Sequence, residues 1–192
     1  MDTVEILISV CLGIGLAAAV GFRVFLPLLV LSVAGHYEII PLNESWQWIG
    51  SIAAVITLAI ATCVEIFGYY IPWLDNALDT IAVPMAAIAG TAVMVATVSD
   101  LSPIITWALA IIAGGGTATA IKGNTSMLRM GSTATTGGFA NPIVTTVETG
   151  TSIIMAILSI FIPVLAFAIV LLLFYFIYKF YKKLRKNRHT PV

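Results

Sequence analysis

Seven charged side chains stand in apolar or small-residue surroundings, and they are the first candidates for chemistry: Arg23, Glu65, Asp75, Asp79, Lys122, Arg129 and Glu148. Glu65 lies in Val64-Glu65-Ile66-Phe67-Gly68 and Glu148 in Val147-Glu148-Thr149-Gly150. A charge at membrane depth costs several kcal/mol, so such groups pair with one another or mark an ion, proton or substrate site. Burial favours the neutral form of a carboxyl, whereas a neighbouring cation favours the charged form. Either state suits ion or proton binding at Glu65 and Glu148, with Arg23 and Lys122 as counter-charges or anchors for an anionic substrate. An internal ion pair that only fixes helix packing is the plainer alternative.

Asp75 and Asp79 are four residues apart and share a face if that stretch is helical. They would then form an access or coupling pair for a cation or proton, or act as N-terminal acids on a helix dipole. In Gly137-Gly138-Phe139-Ala140-Asn141-Pro142, mobile backbone and the Asn141 amide precede a helix start, and Lys122 and Arg129 come before it. Free N–H groups at such a start attract anions. A plain cap and loop explains the same letters.

These side chains need spanning helices to hold them. About 20 apolar residues at 1.5 Å each cross a bilayer. Six stretches qualify: 6–34, 46–70, 78–98, 103–121, 142–160 and 163–180. The first is long and interrupted by Gly21, Arg23 and Pro27, so a break is expected there. Tyr69 and Tyr70 read as interfacial belt residues at the end of the second. Breaks are also expected at Pro84 and Pro142. The third and fourth stretches should form an antiparallel hairpin. The Gly-, Ser- and Thr-rich run 123–141 reads as a long polar connection, and Pro163 either separates two spans or kinks one.

Composition demands the same solvent. Of 192 residues, 60% are hydrophobic and 9% charged, and the mean hydropathy is +1.06. A soluble domain carries about 25% charged residues, so this chain reads as an all-α, polytopic transmembrane bundle. Residues 1–180 form a single membrane domain and 181–192 a basic tail. Six of the nine basic residues are Lys179, Lys182, Lys183, Arg185, Lys186 and Arg188. That run is expected on the cytoplasmic face, where it suits anionic lipid. Six spans would place both termini there. The acidic start, Met1-Asp2-Thr3-Val4-Glu5, lacks the basic region of a signal peptide.

Two stretches echo one another. Gly13-Ile14-Gly15-Leu16-Ala17 leads to Arg23, and Gly114-Gly115-Gly116-Thr117-Ala118 leads to Lys122, and each is followed later by a buried glutamate. Halves 1–100 and 101–180 related as a 3+3 inverted repeat would match a design common among transporters. Chance similarity among small residues is the alternative.

Further patterns carry a resemblance. Gly21-Phe22-Arg23-Val24-Phe25-Leu26-Pro27-Leu28-Leu29, Val64-Glu65, Ile71-Pro72-Trp73-Leu74-Asp75 with Asp79, Lys122, Arg129, Gly137-Gly138-Phe139-Ala140-Asn141-Pro142 and Glu148 resemble a bacterial integral-membrane family catalogued only as a domain of unknown function. The resemblance implies one membrane domain in a bacterial inner membrane and brings no substrate, cofactor or mechanism.

The functional expectation is a small transporter or channel-like protein for an ion or small solute. Its binding residues would be Glu65, Glu148, Asp75, Asp79, Arg23, Lys122, Arg129 and Asn141. The rivals are a lipid-acting membrane enzyme using Asp75, Asp79 and Glu148 as metal ligands or acid/base groups, and a structural or partner-binding membrane protein. No nucleotide loop, nucleophile elbow, zinc motif or paired CxxC occurs, and no cofactor is expected. Nor is a nucleic-acid partner expected. The bilayer is the partner, with a homodimer compatible with the sequence.

Overall fold

The computed structural model describes residues 3–98 and 101–187. The described residues are helices and short connections: α1 (Thr3–Phe22), α2 (Phe25–His36), a 3-10 turn (Glu44–Gly50), α3 (Ile52–Gly68), α4 (Pro72–Thr97), α5 (Pro103–Leu109), a π-helical segment (Ala110–Gly115), α6 (Gly116–Thr136), α7 (Asn141–Phe161) and α8 (Pro163–Asn187). Five of the helical stretches are long and apolar enough to cross a membrane, and a sixth arises if the 3-10 turn and α3, bent by 63°, make one span. The chain is an all-α polytopic bundle.

At its centre stands α1, whose buried face of small residues lets α4, α6, α7 and α8 pack close around it. A close approach joins α4 to the π segment and α6. A β-carbon on Gly90 would lie 2.5 Å from the Ala118 β-carbon and 2.7 Å from the Gly114 carbonyl oxygen, so only glycine fits there.

Several expectations change. The stretch 6–34 is not one interrupted span. After Phe22 the chain turns at Arg23 and Val24, and α2 runs back, its start beside Glu65 and its Gly35 beside Gly50. Pro27 sits in the first turn of α2, where a proline costs no hydrogen bond. This reversal through α2, 12 residues and shorter than a spanning helix, puts the described ends, Thr3 and Asn187, at opposite ends of the bundle rather than together. Val10 of α1 packs at the end holding Val98 and Leu101, whereas Tyr181 of α8 reaches Met127 of α6 at the other. Pro84 does not break α4, which runs helically through it to Thr97.

The run 123–141 is mostly helix too. α6 extends to Thr136 and stops at Gly137, whose positive φ of 64° ends a helix without steric cost. Its hydroxyls and amide bond back to carbonyls of the preceding turn: Thr125 to Lys122, Asn124 to Ala120, Thr136 to Ser132. Polar composition therefore did not mean loop here. The two echoed glycine stretches lie side by side and run the same way. Both Gly13 and Gly114 face Met94, and Gly21 faces Ala118 and Ile121. An inverted pair would run in opposite directions. Pro163 follows a non-helical Ile162 and separates α7 from α8. The acidic Asp2 and the tail beyond Asn187, with Arg188 and His189, lie outside the described residues.

Candidate functional site: a buried charge cluster around Tyr69

Each charged residue singled out from the sequence reaches one region, where α1 ends, α3 ends and α4 and α7 begin. Their buried faces explain why. On α6, Lys122, Thr125 and Arg129 are spaced by three and four, one stripe of a helix, and all are buried. On α7, Asn141, Thr145, Glu148 and Ser152 make a matching stripe. On α4, Asp75 is buried and Asp79, one turn on, is half-buried.

Arg129 is the hub. Its guanidinium donates to both oxygens of Glu148, with Nε at 3.2 Å from each, and to Asp75 Oδ1 and Thr145 Oγ1, the latter at 2.9 Å. Asn141 Nδ2 donates to the other Asp75 oxygen at 2.9 Å and to Thr133 Oγ1 at 3.1 Å. Arg23, fully buried, donates from Nε to Thr149 Oγ1 at 3.0 Å and from Nη2 to the Thr145 carbonyl at 3.1 Å, and that nitrogen lies 3.7 Å from Glu148. Thr145 thus joins the two arginines through its hydroxyl and its carbonyl. Shared hydrogen bonds of this kind are what make a buried charge tolerable.

Glu65 does something different. Its carboxylate accepts from Val24 N–H at 2.8 Å and Phe25 N–H at 2.9 Å. These are first-turn donors of α2, which has no side-chain cap of its own. Both Glu65 oxygens therefore complement the positive end of a helix and fix the α1–α2 reversal.

Three cations surround one ring. Arg23 Cζ lies 4.3 Å, Arg129 Cζ 4.4 Å and Lys122 Nζ 5.1 Å from the centroid of Tyr69. Cation–π contacts in a desolvated site are worth up to about 2 kcal/mol each. Tyr69 was expected as an interfacial residue and is instead 3% exposed at the heart of the cluster. Nothing in its sequence neighbours signals this. Thr145 and Thr149 were also missed, although their spacing from Asn141 and Glu148 could have shown them.

The cluster is not fully paired. Lys122 is 0% exposed, yet its ammonium has no hydrogen-bond partner, and the same holds for Arg23 Nη1, Asp79 Oδ1, Ser126 Oγ and Asn141 Oδ1. Lys122 feels both Glu148 and Asp79 electrostatically without an ion pair to either. A cavity of about 430 Å³ adjoins two of these residues, Asp79 and Ser126, and is lined also by Arg129 and Thr133 among others. Unpartnered donors and acceptors beside a cavity can receive water, an ion or a polar ligand head. Cys11 and Cys63 take no part.

Fold and site define a helical membrane protein built around a buried, incompletely satisfied charge cluster. The chain belongs to the family described as a domain of unknown function (DUF4126), whose model matches residues 10–183. No curated protein and no solved structure matches the chain.

Proposed function

We propose that this protein is a small transporter or channel-like protein for an ion or small solute, with the cluster around Tyr69 as its site. The observation that carries this reading is the set of unpartnered polar atoms in the cluster, Lys122 Nζ and Arg23 Nη1 buried within it and Asp79 Oδ1 at the cavity. A cluster serving only to hold helices together has no use for groups left unpaired at such cost. In this reading Arg129, Asp75, Glu148 and Asn141 form the rigid frame, Glu65 holds the α1–α2 turn, and Lys122 with Asp79 exchange partners as the solute passes. The lipid-acting enzyme gains less support: among the described residues no three His, Cys, Asp or Glu side chains are grouped to hold a metal ion.

Charge placement supports an orientation. Among the described residues, the cations Arg23, Lys122, Arg129, Lys179, Lys182 and Lys183 all belong to one end of the bundle, the first three beside the carboxylates of the cluster, while Glu5, Glu38 and Glu44 belong to the other. The basic end then faces the cytoplasm, of a bacterial inner membrane in this proposal, and the N-terminal end faces the opposite side. Lys179, Lys182 and Lys183, exposed on the last turns of α8, suit anionic lipid headgroups.

The test is flux in proteoliposomes loaded with dyes for protons, alkali cations and halides, comparing the wild type with Lys122→Met and Asp79→Asn. At least one flux should exceed that of empty liposomes and fall tenfold or more in both variants, with thermal stability kept. Flux absent for the whole panel, or equal in the variants, would leave the structural reading in its place.

A further inference from the structure

α4 and α6 are pressed together where Gly90 meets Ala118 and the Gly114 carbonyl. About three turns away along α4 and two along α6, they part around the cavity of about 430 Å³. Its mouth is formed by Thr80, Met130 and Ala134, all exposed, and its floor by Asp79, Ser126 and Arg129. The space is more than ten times the roughly 30 Å³ of one water, and it lies within the ~300–1,000 Å³ that suits small organic ligands. Most of its wall is apolar.

The free groups on the floor are oxygens. Asp79 Oδ1 and Ser126 Oγ are both hidden from solvent and without a hydrogen-bond partner. A carboxylate only accepts, and a hydroxyl can accept beside it. Arg129 is the cation of the floor, but each of its nitrogens already donates to Asp75, Glu148 or Thr145, and its guanidinium lies over Tyr69. An anion entering here would meet a free carboxylate oxygen and a guanidinium already engaged.

Charge balance points the same way. Four carboxylates, Glu65, Asp75, Asp79 and Glu148, share the cluster with three cations, Arg23, Lys122 and Arg129, which leaves it one positive charge short. Lys122 attracts Asp79, yet its ammonium lies at the Tyr69 ring and does not line the cavity. The shortfall therefore falls at Asp79.

We propose that the solute of the cluster is a small organic cation with N–H donors, a protonated primary amine, which enters the cavity from the basic end of the bundle and sets its ammonium on Asp79 Oδ1 and Ser126 Oγ. This rests on the cluster being the site proposed above and adds the class of solute. An ammonium has donors and no acceptor, so it matches the two free oxygens. Its bond to a carboxylate is charge-assisted, about twice as strong as a neutral one. A bare alkali ion would fill little of the space and needs a ring of oxygens to replace its water shell. An alkyl group on the nitrogen instead occupies the apolar wall beside Met130 and Ala134. Lys122 carries the same chemistry on the chain itself, an ammonium on an apolar stem drawn towards Asp79. It can take the acid when the amine leaves, which is the exchange of partners that a transport step needs.

The full-length protein in detergent is tested by scintillation proximity with radiolabelled butylammonium. The label is displaced by unlabelled butylammonium, by potassium, or by tetraethylammonium, a cation without N–H donors. Butylammonium should displace it at a concentration about tenfold or more below either competitor. Asp79→Asn should abolish saturable binding, and Ser126→Ala should weaken it about threefold to tenfold, the loss of one hydrogen bond. Ala134→Trp, at the exposed mouth, serves if Asp79→Asn does not purify as a folded protein, and should weaken binding about tenfold or more. Displacement by potassium or tetraethylammonium as readily as by butylammonium, or affinity unchanged in Asp79→Asn, overturns the proposal. A label that does not bind, with ion flux that still depends on Asp79, sinks this inference and leaves the transporter reading standing. Binding with the stated preference, while no probe and no labelled amine crosses a proteoliposome membrane, does the reverse.

Discussion

Lys122→Met and Arg129→Met make a paired prediction, because the two cations are equally hidden but differently held. Arg129 meets Asp75, Glu148 and Thr145 directly. Removing it leaves two buried carboxylates with less than they need: Glu148 keeps Arg23 at 3.7 Å, and Asp75 keeps the Asn141 amide at 2.9 Å. Breaking a buried pair in this way costs about 3–5 kcal/mol. For a protein of this size that is a fall in Tm of about 6–20 °C, taking ~2–4 °C per kcal/mol. Lys122 has no hydrogen-bond partner to lose. Its removal ends the penalty of an unsatisfied buried ammonium, about 1–3 kcal/mol or more for a charged group. It also forfeits the attraction of Glu148 and Asp79 and the contact with the Tyr69 ring. The two nearly cancel, and methionine fills a similar volume, so Tm should stay within a few degrees of the wild type or rise. Differential scanning fluorimetry of both variants in one detergent reads the contrast. A drop for Lys122→Met as deep as that for Arg129→Met would refute the reasoning, since it would mean that Lys122 is as firmly paired as Arg129. A stabilised Lys122→Met that has lost flux is the trade-off expected where a functional group sits in a strained place.

Glu65→Gln keeps the shape but turns an acceptor into a donor facing the N–H groups of Val24 and Phe25, so unfolding should be easier by about 1–3 kcal/mol, measured by the same melting assay. Gly90→Val forces a β-carbon against Ala118 and Gly114, and overpacking of this kind should cost about 1–3 kcal/mol or more and lower the yield of monodisperse protein in size-exclusion chromatography. Topology is checked with single cysteines in a Cys11→Ser, Cys63→Ser background. Val4→Cys should react with a membrane-impermeant maleimide in intact cells and Tyr181→Cys only after permeabilisation; labelling of both from one side would overturn their placement at opposite ends of the bundle.

The sequence by itself determined the solvent and the cast. Nine per cent charge and six long apolar stretches leave only lipid as surroundings, and a charge in an apolar stretch is conspicuous because its cost in lipid is high. Arg23, Glu65, Asp75, Lys122, Arg129, Asn141 and Glu148 were therefore legible without coordinates. The helical stripes on α6 and α7 were legible in principle, but the Gly, Ser and Thr content of 123–136 disguised one of them. Those residues form helix poorly in water, where their hydroxyls compete for backbone groups, yet here they bond back along the helix while one face packs in the bundle.

Only tertiary structure decided the pairing. Arg129 and Asp75 are 54 residues apart in the chain and Arg23 and Thr149 are 126 apart, and no local pattern encodes which carboxylate meets which cation. Glu65 looked like an ion site and proved to hold the start of α2, because whether a carboxylate is free depends on which backbone donors the fold brings to it. Tyr69 looked interfacial and lies under three cations, since the position of a residue at a helix end is set by what that end packs against. The reversal at Arg23 likewise had no sequence signal beyond a break. A break in a helix fixes where the chain can turn, and the packing of small residues around α1 fixes which way it goes.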